Sequence, residues 1–267
     1  MATMDAHTES SVSKILMIGN NGSGKTGSLV SLIKAGYKIR LLDFDNGAEI
    51  IKQLVRAECP DKAANVDIET HTDSYKEVAG KLQPAMPLTG FSGGMKVLTD
   101  WPGLGKPSTW GPDTVLVLDS LTMMGRFIMN HTLSLNGFRP AQIQDWGMAM
   151  DLQENVMAML YGKAIKCHVI VMAHITYVQP EGEVQQFAYP SALGSKLPPK
   201  IGSYFNSTLF VGNEGSGAAK RKTIFTKSKG LVECKTPAPG IVKDSYPLET
   251  GLASYFEAMH GPLKAAS

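Results

Sequence analysis

Short apolar runs and helical repeats alternate along the first part of the chain. Residues 14–18 form an apolar run followed by a glycine-rich turn, which predicts a strand and then a loop. Residues 25–34 have helical spacing and stop before a glycine, as a helix does at its carboxyl end. A second strand is predicted at 37–43, and a second helix follows because apolar residues recur at helical spacing over 50–55.

Two later runs, 114–118 and 168–172, are continuously apolar and rich in β-branched residues. This pattern is typical of strands buried on both faces, as in a parallel sheet covered by helices. Between them we predict helices at 121–129 and 142–161, with a break near residues 136–137. The alternation of strands and helices favours an α/β fold.

The last part of the chain predicts antiparallel strands added to this sheet. The expected fold class is therefore α/β, with a mostly parallel central sheet flanked by helices and antiparallel strands toward the C-terminus. The late strands are expected at 208–211, 223–226 and 231–233, a closing helix at 252–259, and an additional early strand at 66–69.

Residues 83–113 differ in composition from the rest. They contain six glycines and five prolines, which predicts an elaborated surface loop held down by Trp101 and Trp110. We expect a polar N-terminal segment over 1–13 and a single domain over 14–267 that carries the 83–113 insertion.

Composition excludes several classes of protein. The apolar fraction of 43% and the charged fraction of 19% are those of a globular chain. No apolar run has the length of a signal peptide or a membrane span, so we expect a cytoplasmic protein without membrane contact. The net charge of +2 does not by itself indicate nucleic-acid binding. Three widely spaced cysteines predict reduced thiols.

The sequence Gly-Asn-Asn-Gly-Ser-Gly-Lys-Thr at 19–26 matches the phosphate-binding P-loop motif between a predicted strand and a predicted helix. Glycines let backbone amides wrap phosphate oxygens, Lys25 reaches the β and γ phosphates, and Thr26 holds Mg²⁺. ATP and Mg²⁺ are therefore the expected cofactors. The expected nucleotide-binding residues are Gly19, Asn20, Asn21, Gly22, Ser23, Gly24, Lys25, Thr26 and Gly27.

Three further side chains follow predicted strands and are candidates for catalysis. Asp119 ends the run 114–118, where a carboxylate would complete the metal site with Thr26; the alternative is a cap of the following helix. Asp43 and Asp45 follow the second strand, and we choose Asp45 to orient the attacking water, although both acids could simply shape a turn. His174 follows the run 168–172 and could sense the γ phosphate or be structural.

Together these motifs resemble the RecA-like P-loop ATPases, most closely the Sak-type proteins of bacteriophages that act in single-strand annealing and recombination. The matching segments are the loop at 19–26, Leu42-Asp43-Phe44-Asp45, Leu118-Asp119-Ser120 and Val171-Met172-Ala173-His174, in the family's order. The resemblance covers most of the chain. The loop is specific, and the other segments are individually weak.

The resemblance implies a RecA-like P-loop NTPase core that binds ATP between subunits of a filament or ring, with single-stranded DNA on inner loops. It places Asp45 at the catalytic acid, where the family carries a longer Glu, which implies slow hydrolysis. It places His174 where many members carry a glutamine that links the γ phosphate to a DNA-binding loop. It also places Lys227 and Lys229 where a lysine pair reaches the neighbouring subunit's ATP, although this basic stretch could be a solvated strand face.

The same resemblance implies two DNA-contacting segments, about 130–145 and 175–200. Basic side chains in these segments would contact DNA phosphates, and aromatic side chains would stack on bases. The alternative is that the aromatic rings of Phe138 and Tyr177 anchor the loops on the protein core. The candidate DNA-binding residues are Phe138, Arg139, Tyr177, Lys196 and Lys200.

The leading hypothesis is a phage-type, DNA-dependent ATPase that binds single-stranded DNA as a homo-oligomer and promotes annealing or recombination, with a single-stranded DNA-binding protein as a further partner. In that case it acts in the cytoplasm of the bacterial host. A small-molecule or nucleoside kinase, with Lys220 to Lys229 as a basic lid, is the first alternative. The second is a module that binds ATP without turnover and recruits other recombination proteins.

Overall fold

The computed structural model describes residues 12–179, 182 and 184–263. Of the predicted N-terminal segment, residues 1–11 lie outside this range, as do 264–267 at the other end. Val12 and Ser13 are buried. No helix in the described ranges is both long and apolar enough to cross a membrane.

An eight-stranded sheet forms the centre of the protein, in the order β12-β11-β10-β1-β7-β6-β2-β3. Strands β10, β1, β7, β6, β2 and β3 are parallel, and β11 and β12 are antiparallel additions at one edge. The predicted fold class is thus confirmed. The strands are β1 Lys14–Ile18, β2 Lys38–Asp43, β3 Val66–Thr70, β6 Thr114–Asp119, β7 His168–Ala173, β10 Ser207–Glu214, β11 Arg221–Phe225 and β12 Ser245–Pro247.

Helices cover both faces of the sheet. Alternate residues of the central strands enter two separate hydrophobic cores, as in β1, where Leu16 and Ile15 pack on opposite faces. This explains why the strands are continuously apolar. One face carries α1 Lys25–Lys34, α2 Glu49–Glu58 and α7 Gly251–His260; the other carries α3 Gly90–Thr99, α4 Leu121–Leu135, α5 Ile143–Tyr161 and the short α6 Pro198–Ile201.

The segment 83–113 is more regular than predicted. It contains the end of β5 (Lys81–Pro84), the whole of α3 and a short 3₁₀ turn at Pro107–Thr109, so the prediction of a loop without regular elements was wrong. The predicted role of the tryptophans is confirmed. Trp101 is 1% exposed, donates to Asp67 and packs edge-on against Trp110.

Other differences concern short strands and helix ends. Residues 231–233 are not a strand but part of a turn closed by a bridge between Lys229 and Val232, and the last strand is β12 instead. Two hairpins occur where none was predicted: β4 Tyr75–Val78 with β5, and β8 Ile175–Val178 with β9 Phe187–Pro190. Helix α4 also continues six residues beyond the predicted end at 129, to Leu135.

The parallel strands all end at one edge of the sheet. Ile18 of β1 is level with Ala173 of β7, Asp119 of β6 is level with Met172 of β7, and Asp43 of β2 is level with Asp119. Ligands of open α/β sheets bind in the crevice outside this carboxyl edge. The four segments singled out in the sequence therefore meet there.

Candidate active site

The phosphate-binding motif forms a loop between β1 and the first turn of α1. Gly24 has a φ of 104°, and a Cβ there would lie 2.5 Å from a methyl carbon of Leu248, so only glycine fits. The N-cap residue of α1 is Gly24, which has no side chain that could bond to the first amides of the helix. The amides of this first turn are therefore available to an anion, which the helix dipole also favours.

Lys25 lies inside the loop and is 6% exposed. Its ammonium donates to the carbonyl oxygens of Gly19 at 2.9 Å and Asn20 at 3.2 Å. Burial lowers the pKa of Lys25, and the charges of Asp119 and Asp45 act in the opposite direction. Among the described residues, the hydrogen-bond partners of this ammonium are thus neutral carbonyls of the loop.

Thr26 and Asp119 are in direct contact, 93 residues apart in sequence. The threonine Oγ1 donates to Asp119 Oδ2 at 2.5 Å. Burial raises the pKa of Asp119 to about 6, with the charge of Asp45 adding to the effect and the Thr26 hydrogen bond and Lys25 opposing it. The helix after Asp119 is capped by Ser120, whose side chain accepts from Met123 N, so Asp119 itself is free of that role.

Asp45 and His174 face each other beside this pair. The distance from His174 Nε2 to Asp45 Oδ2 is 3.4 Å, and Ser120 Oγ donates to Asp45 Oδ1 at 2.7 Å. Burial alone would raise the pKa of Asp45, but the hydrogen bonds from His174 and Ser120 and the charges of His174 and Lys25 lower it. Asp45 is therefore held as a carboxylate.

Asp43 has a different role from Asp45. It is 1% exposed, and its carboxylate accepts from the backbone amides of Asp45, Gly47 and Ala48 at 3.0, 3.3 and 3.1 Å. It thereby fixes the turn that aims Asp45 away from the sheet. The choice of Asp45 rather than Asp43 as the residue in the site agrees with this arrangement.

Lys25, Thr26, Asp45, Asp119 and His174 line a cavity of about 770 Å³. Several residues that line or support this cavity were not among the candidate site residues: Ser120, Met123, Lys222, Leu248 and Glu249. The first two follow Asp119 directly, which was a usable signal. Lys222 lies in β11, within the basic stretch considered as a lid in the kinase alternative. Leu248 and Glu249 follow β12, and no local pattern connects them with the loop. The cavity also reaches along α1 and α2, to Val30, Ile50, Leu54 and Glu58.

The arrangement fits a nucleoside triphosphate with Mg²⁺. Ser23 Oγ in the loop is buried and finds no hydrogen-bond partner among the described residues, as expected for a group that meets a ligand. No cluster of three or more His, Cys, Asp or Glu side chains in the described ranges could hold a metal alone. Mg²⁺ bound by Thr26, Asp119 and phosphate oxygens needs no such cluster.

The candidate DNA-binding residues lie on two projections and near α6: one projection is the α4–α5 turn, at the end of α4 away from the site, and the other is the β8–β9 hairpin. Phe138 and Arg139 occupy the turn between α4 and α5, where Arg139 pairs with the buried Asp145 at 2.9 Å. The guanidinium is thus already engaged within the turn. Tyr177, on β8, is 54% exposed. Lys196 and Lys200 are exposed near α6.

Lys227 and Lys229 follow β11 and are not among the described residues that line the cavity. Lys227 pairs with Asp244 at 3.1 Å, and Lys229 lies 4.0 Å from Glu214 and over the ring of Phe225. Both lysines are well exposed.

Comparison with solved structures finds proteins of similar fold. One is a KaiC-like protein from Pyrococcus horikoshii OT3, which is 12% identical in sequence and has a TM-score of 0.46. The alignment covers 91% of this chain and 88% of that protein. The flagellar accessory protein FlaH from Methanocaldococcus jannaschii is 12% identical over 92% and 90% of the two chains, with a TM-score of 0.45. The RadB recombinase is 12% identical over 86% and 87%, with a TM-score of 0.43.

No protein-family profile matches the sequence, and no curated protein is significantly similar to it. At these identities and TM-scores, the likenesses assign this chain no activity or partner.

Proposed function

We propose that this protein is a RecA-like ATPase that binds single-stranded DNA as an oligomer and promotes annealing or recombination, the role of the Sak-type phage proteins. The observation that carries the ATPase part is the 2.5 Å contact between Thr26 Oγ1 and Asp119 Oδ2 beside Lys25. Hydroxyl and carboxylate oxygens are the ligands that Mg²⁺ prefers, and they converge here at a phosphate-binding loop.

In this proposal the loop amides and the N-terminus of α1 bind the phosphates, and Lys25 exchanges its carbonyl partners in the loop for phosphate oxygens. Charged partners give the stronger hydrogen bonds. Asp45, held by Ser120, orients the attacking water and takes its proton. Mg²⁺, when bound through Thr26 and Asp119, neutralises charge on the phosphates.

A hydrogen-bonded connection supports coupling between this site and the two projections. His174 N donates to Thr122 Oγ1 at 3.1 Å, and Thr122 Oγ1 donates to the carbonyl of Ser191 at 3.1 Å. Ser191 N in turn donates to His174 O at 2.7 Å. The start of α4 and the base of the β8–β9 hairpin are thus tied to the residue that faces Asp45. A shift of His174 on hydrolysis would move both.

The α4–α5 projection offers surface for a base or a neighbouring subunit. Gln153, in the middle of α5, bonds the carbonyl of Leu121 at the start of α4, so the two helices run away from the site together. Fifteen helical residues span about 22 Å. Leu135, Ile143 and Trp146 near the far end are 64%, 89% and 42% exposed. Exposed apolar and aromatic side chains suit base stacking or oligomer contacts.

The deciding experiment is the rate of ATP hydrolysis with and without single-stranded DNA. We expect DNA to stimulate the wild type, and Lys25→Ala to abolish turnover. The double variant Lys227→Ala/Lys229→Ala should lose stimulation but keep ATP binding, because these exposed lysines do not line the cavity of their own subunit and would act on a neighbour. Stimulation that survives the double change would contradict the action of these lysines in trans.

Two alternatives give different results in the same assay. Lys222, whose ammonium reaches the loop from the basic stretch, favours the kinase alternative. Phosphate transfer to an added nucleoside, without stimulation by DNA, would establish that activity. ATP and DNA binding without turnover would instead establish a recruitment module.

A further inference from the structure

Lys222 lies over the phosphate-binding loop although 200 residues separate it from Gly22. Its Nζ donates to the carbonyl oxygen of Gly22 at 2.9 Å. Its aliphatic Cδ lies 3.5 Å from the position that a Cβ on Gly24 would take. The side chain thus lies along the outer surface of the loop and lines the same cavity as Lys25.

The antiparallel edge of the sheet holds the backbone of Lys222 on both sides. In β11 it is paired with Asn213 of β10, and its carbonyl accepts from Leu248 N at 3.2 Å. The next three residues of the strand are buried. Leu248 itself packs on Gly24. The position of the lysine relative to the loop is therefore set by the fold, and only its flexible side chain can move.

Glu249 lines the same cavity as Lys222, but no ion pair forms between the two among the described residues. Within the described ranges Lys222 forms no ion pair, and its partner is a neutral carbonyl. Lys25 and Lys222 are the cations among the residues that line the cavity. Lys227 and Lys229, by contrast, already face Asp244 and Glu214.

We infer that Lys222 is a second phosphate-binding cation, supplied by the same subunit as the loop. On binding of a nucleoside triphosphate, its ammonium leaves the Gly22 carbonyl for phosphate oxygens, since a hydrogen bond between two charged groups is stronger than one to a neutral carbonyl. A site with two lysines in one subunit binds a triphosphate without a neighbour. This inference rests on the proposed nucleotide-binding function and adds a residue to it.

The test compares Lys222→Ala, Lys222→Arg and the control Lys243→Ala by calorimetric titration with ATP and with AMP. Lys243 is an exposed lysine near the same edge but outside the cavity. We expect Lys222→Ala to weaken ATP binding about tenfold and to leave AMP binding within about twofold, because the lost contact is to the distal phosphates. Lys222→Arg should retain most of the affinity, and Lys243→Ala all of it.

Unchanged ATP affinity in Lys222→Ala, or an equal loss in Lys243→Ala, would overturn the inference. A wild type that binds no ATP would instead refute the proposed function. If the wild type and Lys222→Ala bind ATP equally well and Lys25→Ala does not bind it, the proposed nucleotide binding stands. In that case only the role of Lys222 is refuted.

Mixing variants tests whether Lys222 acts within its own subunit. We expect no recovery of ATP turnover when Lys25→Ala and Lys222→Ala proteins are combined, because neither subunit then has both lysines. Recovered turnover would mean that Lys222 serves a neighbour's loop, which contradicts the assignment.

Discussion

At the scale of single residues, two aspartates separated by one residue take different roles. The carboxylate of Asp43 is buried and binds the backbone amides of the following turn, whereas Asp45 enters the cavity. The sequence predicted that both could belong to a turn or a site. Asp43 shapes the turn and Asp45 enters the site because of the path of the backbone after β2. The hydrogen bonds from the turn's amides to Asp43 determine that path.

Asp45→Asn keeps the size of the side chain and removes its charge. We expect ATP affinity close to wild type and turnover lower by about 100-fold or more, because an amide does not accept the proton of the attacking water. Single-turnover release of labelled phosphate, measured beside calorimetric ATP binding, checks this. Turnover at the wild-type rate would show that another group activates the water.

At the scale of elements, helix α3 was missed because its local sequence disfavours a helix. Three of its ten residues are glycines, each of which costs about 1 kcal/mol relative to alanine in a helix. Packing reverses this preference. A Cβ at Gly94 would lie 2.5 Å from the ring of Phe44, so the glycine lets the helix approach the sheet. Long-range contact of this kind leaves no periodic signal in the sequence.

Gln153 tests how firmly α5 holds the start of α4 near the site. It is fully buried; its Nε2 donates to Leu121 O at 2.9 Å and its Oε1 accepts from Leu193 N at 2.8 Å. Gln153→Leu should lower the free energy of unfolding by about 2–4 kcal/mol, because two backbone groups lose their partners. Urea denaturation of this variant beside the exposed Gln144→Leu measures the difference. Equal stability of the two variants would show that the hydrogen bonds of Gln153 do not hold α5 to the start of α4.

At the scale of the whole molecule, the amino edge of the sheet closes around an uncharged histidine. His168 is 1% exposed, accepts from Ser13 N at 2.9 Å, and lies against the rings of Tyr37, Phe256 and His260. Burial, with smaller effects from His260 and Lys14 and an opposing hydrogen bond to Pro112, lowers the pKa of His168 to about 3.

This burial makes stability depend on pH. The unfolded chain binds a proton at His168 near pH 6.5, whereas the folded protein does not until about pH 3. The contribution of His168 to stability is therefore complete above about pH 6.5 and falls as pH drops toward 3, by up to about 1.4 kcal/mol per pH unit. Denaturant unfolding of wild type and His168→Asn over this window should give a shallower slope for the variant. Equal slopes of unfolding free energy against pH in the two proteins would contradict a neutral His168 in the folded state.

The sequence by itself determined the phosphate-binding loop, the buried parallel strands and the acids that follow them. Each of these depends on a short motif or a local periodicity, because amide wrapping, strand burial and strand ends are properties of neighbouring residues. The tertiary structure decided which distant groups meet, such as Thr26 with Asp119 and Lys222 with the loop. Those contacts depend on strand order and on the antiparallel edge, and no local pattern of side chains encodes the order in which strands pair.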